Sequence, residues 1–279
     1  MNRFARLPVL AAVTVALMLS LTGCDRLKAR DQLNKGVEAF KAGKYEEAIT
    51  HFQNAERLDP KLPTAKAFLA TALSQNVVPG LTTPDNLKTA QQAIDTFQEV
   101  LAEDPSDVNS LKGVASLYYN IKELDKAKQW QLKVLAVDPK DPEAAYTVGL
   151  IDWTQAHANL LKILSPLGAV DDGAGNAKVL TKGACTQIQQ ENGPLVEDGL
   201  KYLNLAIENR PSYDDAMSYL NLIYRKKADV DCGNDAARKD DVAKAVDWNS
   251  KAMGTRKENE AKKDKGPGGI TLDSNGNMK

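Results

Sequence analysis

Three cysteines and two histidines hold most of the reactive chemistry in this 279-residue sequence. A thiolate nucleophile needs a base beside it, and the available combination is Cys185 with His157. No third group to orient the histidine and no oxyanion element is recognisable near either, so nucleophilic catalysis is not the favoured reading. His51 and His157 sit in different parts of the chain, with no Cys-x2-Cys, His-x3-His or Asp-rich loop beside them, which argues against a metal site. Gly173 and Gly175 lie in Asp172-Gly173-Ala174-Gly175-Asn176, without the Lys-Ser/Thr or the preceding strand of a phosphate-binding loop, and read as a turn. The residues therefore call for no catalytic centre, no metal and no cofactor.

The elements that position these side chains are read from a repeat. Ala48-x3-Phe52-x7-Pro60 recurs as Ala93-x3-Phe97-x7-Pro105, with the same three residues at the same spacing. A third copy, Ala127-x3-Gln131-x7-Pro139, begins 34 residues after the second, and Gly199-x3-Leu203-x7-Pro211 keeps the spacing with substitutions. Each copy follows another helical pattern, clearest in Leu111, Val114, Ala115 and Tyr118, so one repeat is a pair of helices. The alanines let the second helix approach the first, the phenylalanines fill the gap, and each proline ends a helix because it lacks an N–H and clashes with the preceding turn. Trp130 and Trp248 fall at related second-helix positions and are expected in the core with Phe52 and Phe97.

Asp59-Pro60, Asp104-Pro105 and Asp138-Pro139, with Gly36, Gly43 and Tyr45 in the first copy, resemble the tetratricopeptide repeat family over most of residues 29–252. The fold class expected is all-α: a superhelical array of about five tetratricopeptide-like helix pairs with long inserted loops. The hand of the superhelix, and first helices lining a concave face, are what the resemblance implies. The repeats are 29–60, 61–105, 106–139, 140–211 and 212–253, which makes 29–253 the repeat domain. Residues 76–84, with two prolines and a glycine, are expected as a loop. A larger insertion at about 155–194 should extend a helix to Pro166 and turn to loop at Gly168–Gly175, and Ala228–Asp235 should be a loop as well. Cys185 and Cys232 then both lie in loops between the two helices of neighbouring repeats. Such loops project from one edge of a stacked array, which predicts a disulfide closing a loop of about 46 residues, worth around 4 kcal/mol in the chain-entropy model. Residues 254–279, charged and glycine-rich, are expected to be a disordered tail.

The amino terminus differs in kind. Arg3 and Arg6 precede the uncharged apolar run Leu7–Leu21, which is shorter than a spanning helix needs and ends in Gly23, Cys24 and Asp25. That is the pattern of a cleaved signal rather than of a retained transmembrane helix. Leu21-Thr22-Gly23-Cys24 resembles the lipobox of bacterial lipoproteins, whose cysteine thiol is acylated (palmitate is the usual label for such chains) and whose preceding bond is cut. The resemblance implies a signal peptide at 1–23, lipidation at Cys24, a short tether at 24–28 and attachment to a bacterial membrane facing the periplasm or the exterior. Asp25 resembles the signal that keeps enterobacterial lipoproteins in the inner membrane. Without residues 1–23 the chain carries 34 basic and 37 acidic side chains, so neither nucleic acid nor a charged membrane surface is an expected partner.

Stacked helix pairs make a long groove suited to a peptide or a partner helix, so the function expected is a membrane-anchored protein-binding scaffold or assembly factor of the cell envelope. Lipoproteins of similar layout act in outer-membrane protein assembly and in pilus secretin assembly, and the residues do not select between them. Partner binding is expected on the first helices of the third and fourth repeats. The register set by Pro139 puts Asn109, Lys112, Ser116, Tyr119 and Asn120 on one side of a helix, and Tyr146, Leu150 and Trp153 on the next. The competing possibility for Tyr146 and Trp153 is packing beneath the insertion. The competing function is a small-ligand receptor or an enzyme built from residues 155–194, with Cys185 as a free thiol. A self-associating envelope protein is a third.

Overall fold

The computed structural model describes residues 6–176 and 178–263, with side chains from Cys24 to Lys262 except Pro63. Among the described residues the fold is all-α. Ten helices follow in order: α1 (Arg6–Lys41), α2 (Tyr45–Leu58), α3 (Pro63–Gln75), α4 (Pro84–Glu103), α5 (Val108–Asn120), α6 (Leu124–Val137), α7 (Pro142–Leu164), α8 (Lys182–Asn209), α9 (Asp214–Val230) and α10 (Asp235–Lys263). They give the five expected pairs. The chain divides into two compact units, residues 1–133 and 134–279.

The repeat residues explain the pairing. Ala48, Ala93, Ala127, Phe52 and Leu203 are fully buried and Phe97 nearly so, which removes several large apolar side chains from water at about 2 kcal/mol each. In the first unit one cluster joins α1, α2 and α3 through Ala39, Ala48, Ile49, Phe52, Leu69 and Ala72. A second joins α3, α4 and α5 through Ala93, Ile94, Phe97, Val114 and Leu117 among others. Trp130 and Trp248 do not reach full burial: each is partly buried, with Lys133 Nζ 3.5 Å from the first ring centroid and Lys251 Nζ 4.5 Å from the second. Trp130 nonetheless packs against the second cluster, so its ring covers the core with one face and meets a lysine on the other.

The aspartate before each proline does as much as the proline. The carboxylates of Asp59, Asp104 and Asp138 accept the backbone N–H two residues on, at 3.2, 3.0 and 3.2 Å. One residue later Asp107 caps α5 by accepting from the N–H of Ser110 at 2.7 Å, and Asp141 caps α7 by accepting from Glu143 and Ala144 at 2.9 and 2.8 Å. Asp-Pro-x-Asp thus closes one helix and opens the next, each cap contributing about 1 kcal/mol.

Both long connections are ordered by side chains. The loop at 76–83 wraps Asn86, whose amide accepts from Val78 N–H at 2.8 Å and donates to the carbonyls of Val78 and Leu81 at 3.0 and 2.7 Å. In the second unit the insertion lengthens α7 to Leu164 and starts α8 at Lys182, leaving only 168–181 as loop. Cys185 accordingly lies in the first turn of α8, not in a loop as expected, because Thr181 caps that helix by accepting from Ala184 N–H at 3.2 Å. Cys232 does lie between helices, α9 and α10.

Two expectations at the ends need correction. The tail does not begin at 254, since α10 continues to Lys263. Arg256 binds Asp214 at 2.7 Å and Asp215 at 3.0 Å, and Asn259 donates to the Ser212 carbonyl at 3.0 Å, so polar contacts to α9 extend a helix that has few apolar residues to bury. The rest of the expected tail, 264–279, lies outside the described residues. The expected tether at 24–28 is part of α1. Of the expected signal peptide, residues 1–5 lie outside the described residues, as do the side chains up to Gly23. Among the described residues, no helix is long and apolar enough to cross a membrane.

Candidate functional site

The first unit carries a groove of about 770 Å³ between α3 and α5, within the 300–1,000 Å³ that ligand-binding clefts usually occupy. One wall is the face of α3 bearing Thr64, Ala67, Phe68, Thr71, Ser74 and Gln75. The other is a stripe of α5 formed by Asn109, Gly113, Ser116, Leu117 and Asn120, and Val77, Pro79 and Phe97 close the floor and one end. Phe68 is 38% exposed and stacks on the buried Phe52 at 5.5 Å, so its ring is held in place while still presented. Gly113 is required by the floor: a Cβ there would come within 2.5 Å of the Phe97 ring. The nearby loop is pinned to α5 by Gly80 N–H donating to the Asn120 carbonyl at 2.7 Å, with Gly80 in the left-handed region at φ +76°.

Of the residues expected to bind a partner, Asn109, Ser116 and Asn120 are brought together in this groove. Lys112 and Tyr119 are not among its lining, although Tyr119 is exposed. A helix stripe narrow enough to face one groove runs at i, i+7, i+11, and residues 112 and 119 fall to its side. Sequence reasoning missed the α3 wall altogether, Phe68 and Thr64 above all. The signal was available in the repeat itself, since α3 is the first helix of the second pair and stands in the same structural position as α5.

Tyr146, Leu150 and Trp153 lie in the second unit and are each half-buried. Tyr146 meets Tyr213 at 5.0 Å and Tyr219 at 5.6 Å, and Trp153 meets Tyr219 at 5.4 Å edge-on while stacking on His157 at 5.3 Å. Tyr213, just before α9, and Tyr219 within it therefore pack on these rings, and His157, which stacks on Trp153, belongs to the expected insertion. Burial pushes the Tyr213 hydroxyl up to about 12, against the Arg210 charge that pulls it down. The cluster is an aromatic seam between two first helices, and its one histidine, His157, lies 3.4 Å from the Asp171 carboxylate.

The insertion loop is fastened by charge. Lys226, 3% exposed on α9, binds Asp171 at 2.5 Å and Asp229 at 2.9 Å. Asn176 donates to Asp229 at 2.8 Å, and Arg225 and Arg238 donate to the carbonyls of Gly173 and Ala174 at 2.7 and 2.8 Å. Burial works to raise the Asp171 carboxyl, and the Lys226 ammonium outweighs it and leaves it below the ordinary range. Deeper burial keeps the Asp229 carboxyl above that range in spite of Lys226. Among the described residues no group of His, Cys, Asp and Glu could hold a metal ion, and Lys226 stands where two carboxylates converge. Cys185 and Cys232 are bonded, with an S–S distance of 2.05 Å and Cα atoms 5.8 Å apart, while Cys24 is exposed and unbonded. With Cys185 in a disulfide, the free thiol expected of a receptor or enzyme built on the insertion is not present; a cavity of about 360 Å³ lies beside the bond, lined by Leu180, Thr181, Lys182, Gly233, Asp235 and Arg238 among others.

Models of the tetratricopeptide repeat match residues 29–62 and 87–151. Among solved structures, the MamA RS-1 ArsTM double mutant aligns with a TM-score of 0.55 at 18% identity, over 84% of this chain and 97% of that one. MamA 41-end from Desulfovibrio magneticus RS-1 gives 0.53 at 19% identity, over 83% and 96%, and another MamA crystal structure gives 0.54 at 13%, over 84% and 94%. At such identities the likeness is one of fold. No curated protein matches the chain. The chain contains tetratricopeptide repeats, and these support a protein-interaction scaffold.

Proposed function

We propose that this chain is a lipid-anchored scaffold of a bacterial envelope that binds a peptide or partner protein in the groove between α3 and α5. The observation that carries the binding half is the presented ring of Phe68 facing a stripe of neutral amides across an open cleft. Apolar anchors ringed by hydrogen-bonding groups are what concave recognition surfaces use. The anchoring half rests on Arg3, Arg6, the apolar run Leu7–Leu21 and Leu21-Thr22-Gly23-Cys24. Two or three acyl chains on Cys24 would make attachment effectively permanent, where one alone would be marginal.

The helical start of the mature chain supports a close arrangement. Cys24 is exposed on α1 only five positions before Ala29, the first buried residue of the repeat domain. At 1.5 Å per helical residue that is about 8 Å, shorter than the roughly 20 Å of an extended tether of that length. The scaffold would then stand at the lipid surface, on the inner membrane if Asp25 acts as a retention signal.

Two measurements test the proposal. Cys24→Ser should release the protein from membranes or leave the signal uncut, read by fractionation and intact mass; an unchanged acylated mass would remove the anchor. A photo-crosslinking residue at position 116 should capture a protein in the native envelope that position 253, on α10, does not. Capture of one set of proteins from both positions would remove the groove as the binding site.

A further inference from the structure

The groove is almost without charge. Among the described residues Asp107 is the one ionisable side chain in its lining, and its carboxylate is already engaged as the cap of α5, accepting from Ser110 N–H at 2.7 Å. Among the described residues no lysine, arginine or histidine lines it. A carboxylate or phosphate entering the cleft would leave water without a cation to receive it, and an ammonium would meet only the spent Asp107. Both lose several kcal/mol relative to solvent.

What the groove does offer is apolar surface and neutral hydrogen-bonding groups. Phe68, Ala67 and Leu117 present carbon, with Phe97 fixed beneath by Gly113. The hydroxyls of Thr71 and Ser74 are spent on carbonyls of their own helix, at 2.7 Å each. Among the described residues, the side chains of Gln75, Asn109, Ser116 and Asn120 make no hydrogen bond, so their donors and acceptors point to solvent. An amide carries a donor and an acceptor together, and so does each peptide group of an extended chain. Asn109, Ser116 and Asn120 fall on one stripe of α5 whose ends are eleven residues apart, about 16 Å at the helical rise, which is the length of about five residues of extended chain.

Resting on the scaffold reading above, the geometry points to a single class of occupant: an extended segment of about five residues that is free of charged side chains and carries a bulky apolar residue to lie against Phe68. The amides hold its backbone and the rings hold its side chain. Ionic attraction has no part in it, so its affinity is insensitive to salt, unlike a site that reads carboxylates with lysines.

The test is selection of a random phage-displayed peptide library on the mature full-length protein, followed by anisotropy titration of the enriched peptides. Enriched peptides are expected to share a five-residue core without Asp, Glu, Lys or Arg and with at least one Leu, Ile, Phe or Trp. Their Kd should change less than twofold between 50 and 500 mM NaCl. Ser116→Arg, a change at an exposed position, should weaken them at least tenfold without moving the melting curve, and should improve binding of the same peptides carrying one Glu in the core. Enriched acidic or basic cores, or a salt effect above fivefold, with sensitivity to Ser116→Arg retained, would overturn the inference and leave the groove as a docking site of different chemistry. Enriched peptides indifferent to Ser116→Arg and Phe68→Ala, or no enrichment at all, would remove the groove reading together with the inference.

Discussion

The two units solve one problem with different chemistry. The first joins α1 to α5 by alanines and phenylalanines at repeat positions, and its ion pairs are peripheral: Lys66 reaches Glu99 and Glu103 at 3.2 and 3.3 Å, both carboxylates more than half exposed. The second has its apolar contacts too, among them Leu160, Leu164 and Ile188 between α7 and α8, but it adds a disulfide and a buried ion network around Lys226. The difference follows the lengths of the repeats. A connection of two to four residues, such as Asp104-Pro105-Ser106-Asp107, needs only a cap and a stop. A loop such as 168–181 has many backbone groups to satisfy and little apolar surface to bury, so side chains of α9 and α10 must reach across to it. Length beyond the repeat is held by specific polar contacts, and those are all-or-none in a way that apolar packing is not.

Removing one ammonium from each unit exposes that contrast most strongly. Lys226→Met leaves Asp171 and Asp229 together without their cation, in a site where Asp229 is fully buried, and should cost the second unit about 3–5 kcal/mol at pH 7. Lys66→Met in the first unit should cost under about 1 kcal/mol, because its partners stay solvated. Hydrogen exchange read separately in peptides of α9 and α4 measures both. Comparable losses in the two would mean that the Lys226 network is no more than a surface feature.

Reduction is the next largest effect, and it too should fall on one side only. The first unit holds no cysteine but Cys24, whereas the Cys185–Cys232 bond closes 47 residues of the second, worth about 4 kcal/mol if the chain-entropy model held in full. The Lys226 network already restrains the same segment, so about 2–3 kcal/mol is the expected loss for the double variant Cys185→Ser, Cys232→Ser. Exchange in α8 and α10 should accelerate while α2 and α4 stay unchanged. An unaltered α8 would show the bond to be redundant with the ions.

These contrasts mark how far the sequence could be read. Ala48, Phe52, Ala93, Phe97 and the four prolines lie at a fixed spacing, which is why the joints between the five helix pairs are legible to within a few residues, whereas the outer ends, α1 from Arg6 and α10 to Lys263, are not. Cys185 and Cys232 are paired from the sequence because both fall near the joints inside neighbouring repeats, which share one edge of a stacked array, and that placement survives even though Cys185 lies on the first turn of α8 rather than in a loop. Lys226 with Asp171, or Asn176 with Asp229, could not be paired, since the partners lie more than fifty positions apart and nothing periodic connects them. Asn86 is hidden for the same reason: a buried asparagine that organises a loop has the same sequence context as an exposed one. At the groove, α5 was legible because Pro139 set its register, but Lys112 and Tyr119 were included with Asn109 and Ser116 because a helical face read from sequence is wider than the stripe that a neighbouring helix leaves open. Phe68 escaped notice because apolar residues on a first helix are ordinarily assigned to the core.

The smallest predicted effect concerns a second charged cluster of the same unit, and it tests whether buried ions there carry a penalty as well as a benefit. Asp241 on α10 is 2% exposed and binds Lys227 of α9 at 3.0 Å, and Lys227 also binds Asp231 at 2.6 Å. Lys244 lies on the same helix one turn on, and its charge also bears on Asp231. Burial first, and the Asp231 carboxylate second, push the Asp241 carboxyl up to about 6, while Asp231 is held below the ordinary range by its hydrogen bond with Asp241 and by Lys227, against burial. A carboxyl whose folded value is raised binds its proton more tightly in the native state, so its contribution is fully present below the unfolded value near 4 and is lost as pH rises through about 6. The lowered Asp231 runs the opposite way, but its gain is complete once pH has risen past the ordinary carboxylate range, below the window in which Asp241 loses. The net for the pair should be a fall of about 1 kcal/mol in the stability of the second unit between pH 5 and pH 7.5, a modest figure because the two carboxyls share one ammonium. Asp241→Asn keeps the shape, leaves Lys227 paired with Asp231, and removes the proton that the raised carboxyl would shed. It should be near neutral at pH 5 and stabilising by up to about 1 kcal/mol at pH 7.5, with the first unit unaffected at either pH. A variant that destabilises more at pH 7.5 than at pH 5 would show that the ionised Asp241 is a net support to Lys227, and would make this cluster a second case like that of Lys226.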